Sequence, residues 1–150
     1  MVKEVWTDGC CLRNNQRNSN PVGGIGVYFG HNSPLNVSEP LDSRLPQTNN
    51  RAEIHAAVRA LEICRRYGYF DVLLRSDSNL LCKGMNEWLN NWIDNGWKTA
   101  NDQPVENRAD FEKLLSVMDD DMRVEFRHIS RDENSEADWL AKQGAAKGFR

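Results

Sequence analysis

No stretch of this chain approaches the roughly 20 consecutive apolar residues that cross a bilayer, which excludes a membrane-spanning helix. The opening MVKEVWTDGC has an acid and no apolar core, unlike a secretory signal, and no lipidation motif is present. Excess positive charge is missing too: 19 Lys and Arg face 22 Asp and Glu, a formal net charge of −3. The opposite sign is the ordinary expectation for a nucleic-acid binder. CxxC pairs are absent. Cys10, Cys11, Cys64 and Cys82 fit no zinc framework, and read as small buried apolar side chains rather than disulfides. Repeats, low-complexity tracts and linker-like shifts in composition are lacking. What remains is 150 residues, 39% hydrophobic and 27% charged, the composition of one globular domain over residues 1–150. An intracellular location is expected, with nucleus, mitochondrion and cytoplasm left open.

The first 45 residues read as strands. Residues 2–7 are β-branched and aromatic and run into Asp8-Gly9, a turn dipeptide. Residues 24–29 form a second run whose glycines suggest close backbone approach, and residues 35–41 a third, held to an edge by Pro40. Then the period changes. Ile54, Ala57, Val58 and Leu61 make the stripe of an amphipathic helix ending near Gly68. Val72-Leu73-Leu74 marks a buried strand over 71–76, followed by short helical pieces around Leu80-Leu81 and 88–92. Phe111, Leu114, Leu115 and Met118 mark another helix; residues 124–127 alternate as a strand; Ala137, Leu140, Ala141 and Gly144 describe the last helix. A strand meander followed by alternating strands and helices implies an α/β fold, a mixed sheet with helices packed on it.

Four carboxylates fall at element ends: Asp8 after the first strand, Glu53 in the first turn of the long helix, Asp77 after the fourth strand, and Asp138 in the first turn of the last helix. Such ends tend to open onto one crevice in an α/β sheet. Each acid alone has an ordinary explanation. Asp8-Gly9 makes a turn, Asn50 to Glu53 spells a capping box, Asp77 caps the next helix, and Ser135 to Asp138 is cap-like. Gathered together they are less ordinary. Two carboxylates about 4 Å apart repel by roughly 4 kcal/mol at an effective dielectric of 20, so a pocket of them must take up protons or divalent cations. Oxygen-only donors select Mg²⁺ or Mn²⁺ over zinc. A pair of such ions suits phosphodiester hydrolysis.

These acids lie within an ordered set of segments: Trp6-Thr7-Asp8-Gly9-Cys10-Cys11, Gly26-Val27-Tyr28, Pro34-Leu35-Asn36-Val37, and Gln47-Thr48-Asn49-Asn50-Arg51-Ala52-Glu53-Ile54-His55-Ala56-Ala57. Ser76-Asp77-Ser78, Trp88, Trp92, Asn95-Gly96-Trp97-Lys98-Thr99 and Glu136-Ala137-Asp138-Trp139-Leu140-Ala141 complete it. The set resembles the type 1 ribonuclease H family, in particular the eukaryotic catalytic domain, over nearly the whole chain. That resemblance implies a mixed five-stranded sheet flanked by helices. It implies endonucleolytic hydrolysis of the RNA strand of an RNA–DNA hybrid, leaving 5′-phosphate and 3′-hydroxyl ends, by a monomer carrying two Mg²⁺ ions, with Mn²⁺ possible. Asp8 would bridge both ions, Asp138 would help hold the ion that activates water, and Glu53 and Asp77 would hold the other. Asn14, Asn49 and Asn50 match positions that contact the minor groove and the RNA 2′-hydroxyls. Thr48 and Asn107 match part of a DNA phosphate pocket whose usual Arg is absent here; Pro46 stands near its place and Arg44 two residues earlier. Trp88 and Trp92 match a channel for the DNA strand. Against these assignments, Asn49 and Asn50 also suit a helix start, and either Trp suits the core.

Two departures stand out. The family's loop before the last acid carries a His that assists proton transfer; here the run His128 to Asn134 is shorter and lacks it. Arg131 with Asn134 resembles a shorter-looped branch of the superfamily. Arg131, a fixed cation, would stabilise developing negative charge, or Asp132 or Glu133 would instead relay a proton or attract a metal. The segment between Lys83 and Asn107, usually basic, holds Glu87, Asp94, Asp102 and Glu106 against Lys83 and Lys98. Weak, salt-sensitive hybrid binding is therefore expected. From the few residues ahead of the first matching segment, no separate hybrid-binding domain is expected within these 150 residues, as in an excised domain or a minimal enzyme. Two other readings stay open: a non-catalytic hybrid-binding domain, and a resolvase or transposase of the same superfamily.

Overall fold

The computed structural model describes residues 1–13, 20–118 and 120–149. Asn14 lies outside them. The N-terminal runs become β1 (Lys3–Leu12), β2 (Val22–Tyr28) and β3 (Val37–Pro40), followed by α1 (Asn49–Arg66) and β4 (Asp71–Ser76). Next come α2 (Asn79–Lys83), a π-helical turn (Gly84–Trp88), α3 (Leu89–Asn95) and α4 (Arg108–Val117). The chain finishes with β5 (Arg123–His128), a 3₁₀ turn (Arg131–Glu133) and α5 (Ser135–Lys147). The strands form one sheet in the order β3-β2-β1-β4-β5. β1, β2 and β3 pair antiparallel, whereas β4 runs parallel to both β1 and β5. This is the mixed five-stranded sheet expected.

β1 differs from expectation in an instructive way. Asp8-Gly9 does not turn; the strand runs on to Leu12, paired throughout with β2. Its pairing with β4 ends earlier, at Thr7↔Ser76, so Asp8 and Asp77 are the next residues along two adjacent parallel strands. Gly9 serves close approach instead. A Cβ there would overlap the backbone of Ala52 and Glu53, so its absence lets α1 lie directly on β1.

Each face of the sheet is covered by small residues meeting small residues. α1 buries Ala52, Ala56, Ala57 and Ala60 beside Ile54 and Leu61. On the other face α5 sets Ala137, Ala141 and Ala145 against β2, where a Cβ on Gly24 or Gly26 would overlap the helix backbone. Gly24→Ala is accordingly expected to destabilise by about 3 kcal/mol, roughly 6–12 °C in Tm at this size. An unchanged Tm would show that α5 does not press on β2. Val5, Val27, Ile54, Leu61, Leu74, Leu81, Phe111 and Leu114 fill the core between sheet and helices.

Helix starts also depart from the sequence reading. Thr48 caps α1, its Oγ1 accepting from Arg51 N at 3.1 Å, so Glu53 sits in the second turn and the expected Asn50–Glu53 box does not form. Ser78, not Asp77, caps α2. No box forms at Ser135: the capping box lies on the preceding 3₁₀ turn, between Ser130 and Glu133, and α5 starts at Asn134 without a side-chain cap bond. None of Glu53, Asp77 and Asp138 caps a helix, which frees each acid to face elsewhere.

Candidate active site

Asp8, on β1 just past the end of its pairing with β4, Asp77, just after β4, and the helix residue Glu53 converge. Each offers a carboxylate oxygen, and all three oxygens lie within 4.8 Å of one another. Asp138 lines the same cleft, of about 520 Å³, and its carboxyl is within hydrogen-bonding reach of that of Asp8. Three of the four acids proposed from sequence therefore meet as one cluster, and Asp138 lines the cleft beside them without joining the group within 4.8 Å. Asn49 and Asn50, exposed on the first residues of α1, flank the cleft, as does Arg131.

Without a counter-charge the cluster is electrostatically strained. Burial chiefly, aided by the charges of Asp8 and Asp77, pushes the Glu53 carboxyl up to about 10. Burial again, with repulsion from Asp77 and Asp138, raises Asp8 to about 7. Glu53 Oε2 is buried with no hydrogen-bond partner. A buried acceptor left bare costs about 1–3 kcal/mol, which a cation at that oxygen would remove. Hard oxygen donors, clustered and under-satisfied, fit Mg²⁺ or Mn²⁺. The Cys10 thiol on the cleft wall is pushed up to about 11 by burial and then by Asp8, so it stays neutral. Cys64 and Cys82 are buried as expected, Cys10 and Cys11 only partly, and all four are free thiols.

Basic groups rim the acids. Lys142 Nζ lies 3.0 Å from Asp138 Oδ2, an i,i+4 pair that its sequence spacing alone could have revealed. Arg131 Nε is 3.9 Å from Asp77 Oδ2, with its side chain 89% exposed, so this weak pair leaves it free to turn toward a ligand. Of the two acids considered as proton relays, Glu133 is held by Ser130, whose Oγ donates to it at 3.0 Å; exposed Asp132 remains.

The remaining residues divide. Trp88 is 37% exposed and borders a cleft of about 600 Å³ with Asn91, Asn95 and Lys98. Trp92 reaches that cleft only by an edge. It is 9% exposed and packs on Trp97 and Phe111 with ring centroids at 5.7 and 5.2 Å, so it is chiefly a core residue. Arg44 pairs with neighbouring Asp42 at 2.7 Å instead of reaching toward Thr48. Thr48 and Asn107 are linked through a network the sequence reading missed. Buried Asp110 accepts from Arg51 Nε at 3.1 Å, from Asn107 Nδ2 at 3.0 Å, and pairs with His55 Nε2 at 2.8 Å. It joins the start of α1 to the start of α4, a meeting across more than 50 residues that no local pattern announces.

Known proteins resemble this chain over nearly its whole length. Residues 2–146 match the family model described as RNase H. Human Ribonuclease H1 is 41% identical over 148 residues, covering 94% of this chain and 49% of that protein. Ribonuclease H of Parvibaculum lavamentivorans is 35% identical over 150 residues, covering 97% and 93%. The solved structure of LC9-RNase H1, a type 1 RNase H with the type 2 active-site motif, superposes with a TM-score of 0.74 at 26% identity, covering 99% of this chain and 74% of that one. The chain spans about half the length of the eukaryotic relatives it matches. With the family model spanning nearly every residue and the acids gathered where the pairing of β1 with β4 ends, the chain belongs to the RNase H family, alongside its type 1 members.

Proposed function

We propose that this chain is a divalent-cation-dependent endonuclease that hydrolyses the RNA strand of RNA–DNA hybrids, acting as a monomer and leaving 5′-phosphate and 3′-hydroxyl ends. The observation that carries the reading is the convergence of Asp8, Glu53 and Asp77 within 4.8 Å, with Asp138 beside them. Asp8 would touch both of two Mg²⁺ or Mn²⁺ ions, Asp138 one of them, and Glu53 and Asp77 the other. When bound, such ions supply Lewis acidity at the attacking and leaving oxygens of a phosphodiester.

The chain's own groups do the rest. In the reaction a water oxygen bonds to phosphorus, the P–O3′ bond breaks, and the departing O3′ takes a proton. Arg131 stands at the rim of the acids, where its fixed charge stabilises the charge developing on phosphate oxygens. Asp132, exposed beside it, would carry a proton in place of the loop His that this chain lacks. Asn49 and Asn50 present amides that both donate to and accept from a 2′-hydroxyl, the group that separates RNA from DNA. Thr48 and Asn107, joined through Arg51 and Asp110, face the DNA backbone. Trp88 offers a stacking surface on the DNA side, where each base–aromatic contact contributes roughly 1–3 kcal/mol.

Affinity is expected to be low. In the segment between Lys83 and Asn107 Lys98 is paired with Asp102 at 3.5 Å, and just beyond it Arg108 is paired with Glu112 at 3.1 Å, so few cations are left for phosphates. Binding should weaken further as salt rises; tight binding at high salt would contradict this. Incubating the chain with Mg²⁺ and a labelled RNA–DNA hybrid, beside RNA duplex and DNA duplex, tests the function. Cleavage of only the hybrid's RNA strand is the expected result. Binding without cleavage would favour a non-catalytic hybrid-binding domain, and cutting of DNA duplex a resolvase-like enzyme.

A further inference from the structure

The short loop between β5 and α5 is fastened to the sheet at two points. Ile129 N–H donates to Ser76 O at 2.9 Å, and Asn134 Nδ2 donates to Thr7 O at 2.9 Å. Thr7 and Ser76 are the last paired residues of β1 and β4, so the loop is tied to the residue preceding Asp8 and to the residue preceding Asp77. Between these ties the Ser130–Glu133 box and the Asn134 N–H bond to Arg131 O hold the loop in one turn.

Asn134 itself is used in an unusual way. It occupies the start of α5, where an Asn side chain ordinarily accepts from a first-turn N–H. Here it makes no such bond. The residue is 1% exposed, its amide N–H goes to a strand 127 residues away, and its Oδ1 is buried with no partner. Its backbone oxygen meanwhile accepts from Asp138 N at 3.0 Å. A continuous path therefore runs from Asp8 through Thr7 O and Asn134 to Asp138, linking two acids of the cluster that arise on separate elements.

We propose that Asn134 is a positioning residue: its tether to Thr7 sets Asp138 against Asp8, and so sets the cluster's affinity for divalent cations. This rests on reading the acids as a cation site, which the parent protein tests by itself. Calorimetric titration of the 150-residue chain with Mn²⁺ alone, without nucleic acid, should show binding; no binding would overturn that reading, and this one with it, before any variant is made.

Two variants separate positioning from mere folding, each checked by circular dichroism at the titration temperature. Asn134→Ser keeps a residue suited to a helix start but cannot reach Thr7. Asn134→Gln keeps the amide but displaces it by a methylene, and carries the test if the Ser protein does not fold. Both are expected to bind Mn²⁺ at least tenfold more weakly and to lose 10- to 100-fold in kcat on hybrid, with KM changed less than twofold. In an Asp138→Asn background, Asn134→Ser should weaken Mn²⁺ binding by less than twofold further, because the residue it positions is gone. Unchanged Mn²⁺ affinity in a folded variant, a raised KM with Mn²⁺ affinity intact, or full additivity with Asp138→Asn would each overturn the proposal.

Discussion

Asp77→Asn is expected to lower kcat on an RNA–DNA hybrid by about a thousandfold or more while leaving the fold intact. The side chains match in shape, so the change removes a charge and little else. Asp77 contributes an oxygen to the group within 4.8 Å, and its charge raises the pKa values of both Asp8 and Glu53. A cation's contribution to charge stabilisation in the transition state is several kcal/mol. At about 1.4 kcal/mol per tenfold, losing it leaves roughly a thousandth of the rate. Removing Asp77 also relieves repulsion in the cation-free protein, so Tm should not fall. Single-turnover cleavage at saturating hybrid, read beside the melting curve, separates the two effects. Unaltered cleavage would remove Asp77 from the site.

Glu53→Gln should uncouple the stability of the chain from divalent cations and from pH. Both Glu53 and Asp8 have folded-state pKa values above their ordinary ones, about 10 and about 7. A raised pKa means the folded protein holds protons that the unfolded chain has released. Their contribution to stability is full below about pH 4 and is lost as pH rises through the folded values. In EDTA the parent should therefore melt at progressively lower temperature between pH 5 and 9, the loss due to Asp8 levelling off above about pH 7 and that due to Glu53 continuing toward about pH 10. Gln cannot ionise, so the variant should melt above the parent at pH 8 to 9 and match it near pH 5. Divalent cation supplies the opposite correction. At a hundredfold excess over Kd, binding stabilises the parent by about 2.7 kcal/mol, roughly 5–10 °C for a chain this long. The variant, weakened as a binder, should gain much less. Equal melting of parent and variant at pH 9 in EDTA would show that Glu53 is not strained.

The pairing of function with instability has a visible origin. Glu53 is drawn into the sheet because Gly9 lets the α1 backbone sit on β1. That close approach buries a carboxylate that local sequence would have left at a helix start. Thr48 takes over as the cap of α1, and the acid is released from the capping role it was expected to fill. The same displacement recurs at Asp77, where the adjacent Ser78 caps α2, whereas α5, which carries Asp138, starts at Asn134 with no side-chain cap bond. Local pattern located these acids to within a turn, yet assigned their side chains to neighbours they do not touch.

Other parts were legible because they depend only on residues near in sequence. The apolar stripe of α1 is a period-3.6 pattern, and β4 announces itself by Val72-Leu73-Leu74. The motif order, read as a resemblance, led to the family that residues 2–146 match. Asp8-Gly9 misled for the complementary reason. It has the composition of a turn, but its conformation is set by pairing with Ile25 and Gly26 and by α1 overhead. Trp88 and Trp92, four apart and alike on paper, part company because only Trp92 finds Trp97 and Phe111 to pack on.

The amino-acid order by itself determined the main elements, the small residues that let helices lie close to the sheet, and the four acids as candidates. Tertiary structure alone decided that Asp8, Glu53 and Asp77 meet with Asp138 beside them, that Asp110 gathers Arg51, His55 and Asn107, and that Asn134 reaches Thr7 rather than capping its own helix. The division follows from range. Backbone preference and hydrophobic period act over a few residues, whereas the spacing of side chains brought together from opposite ends of the chain is set by strand register and by how closely helices can approach the sheet.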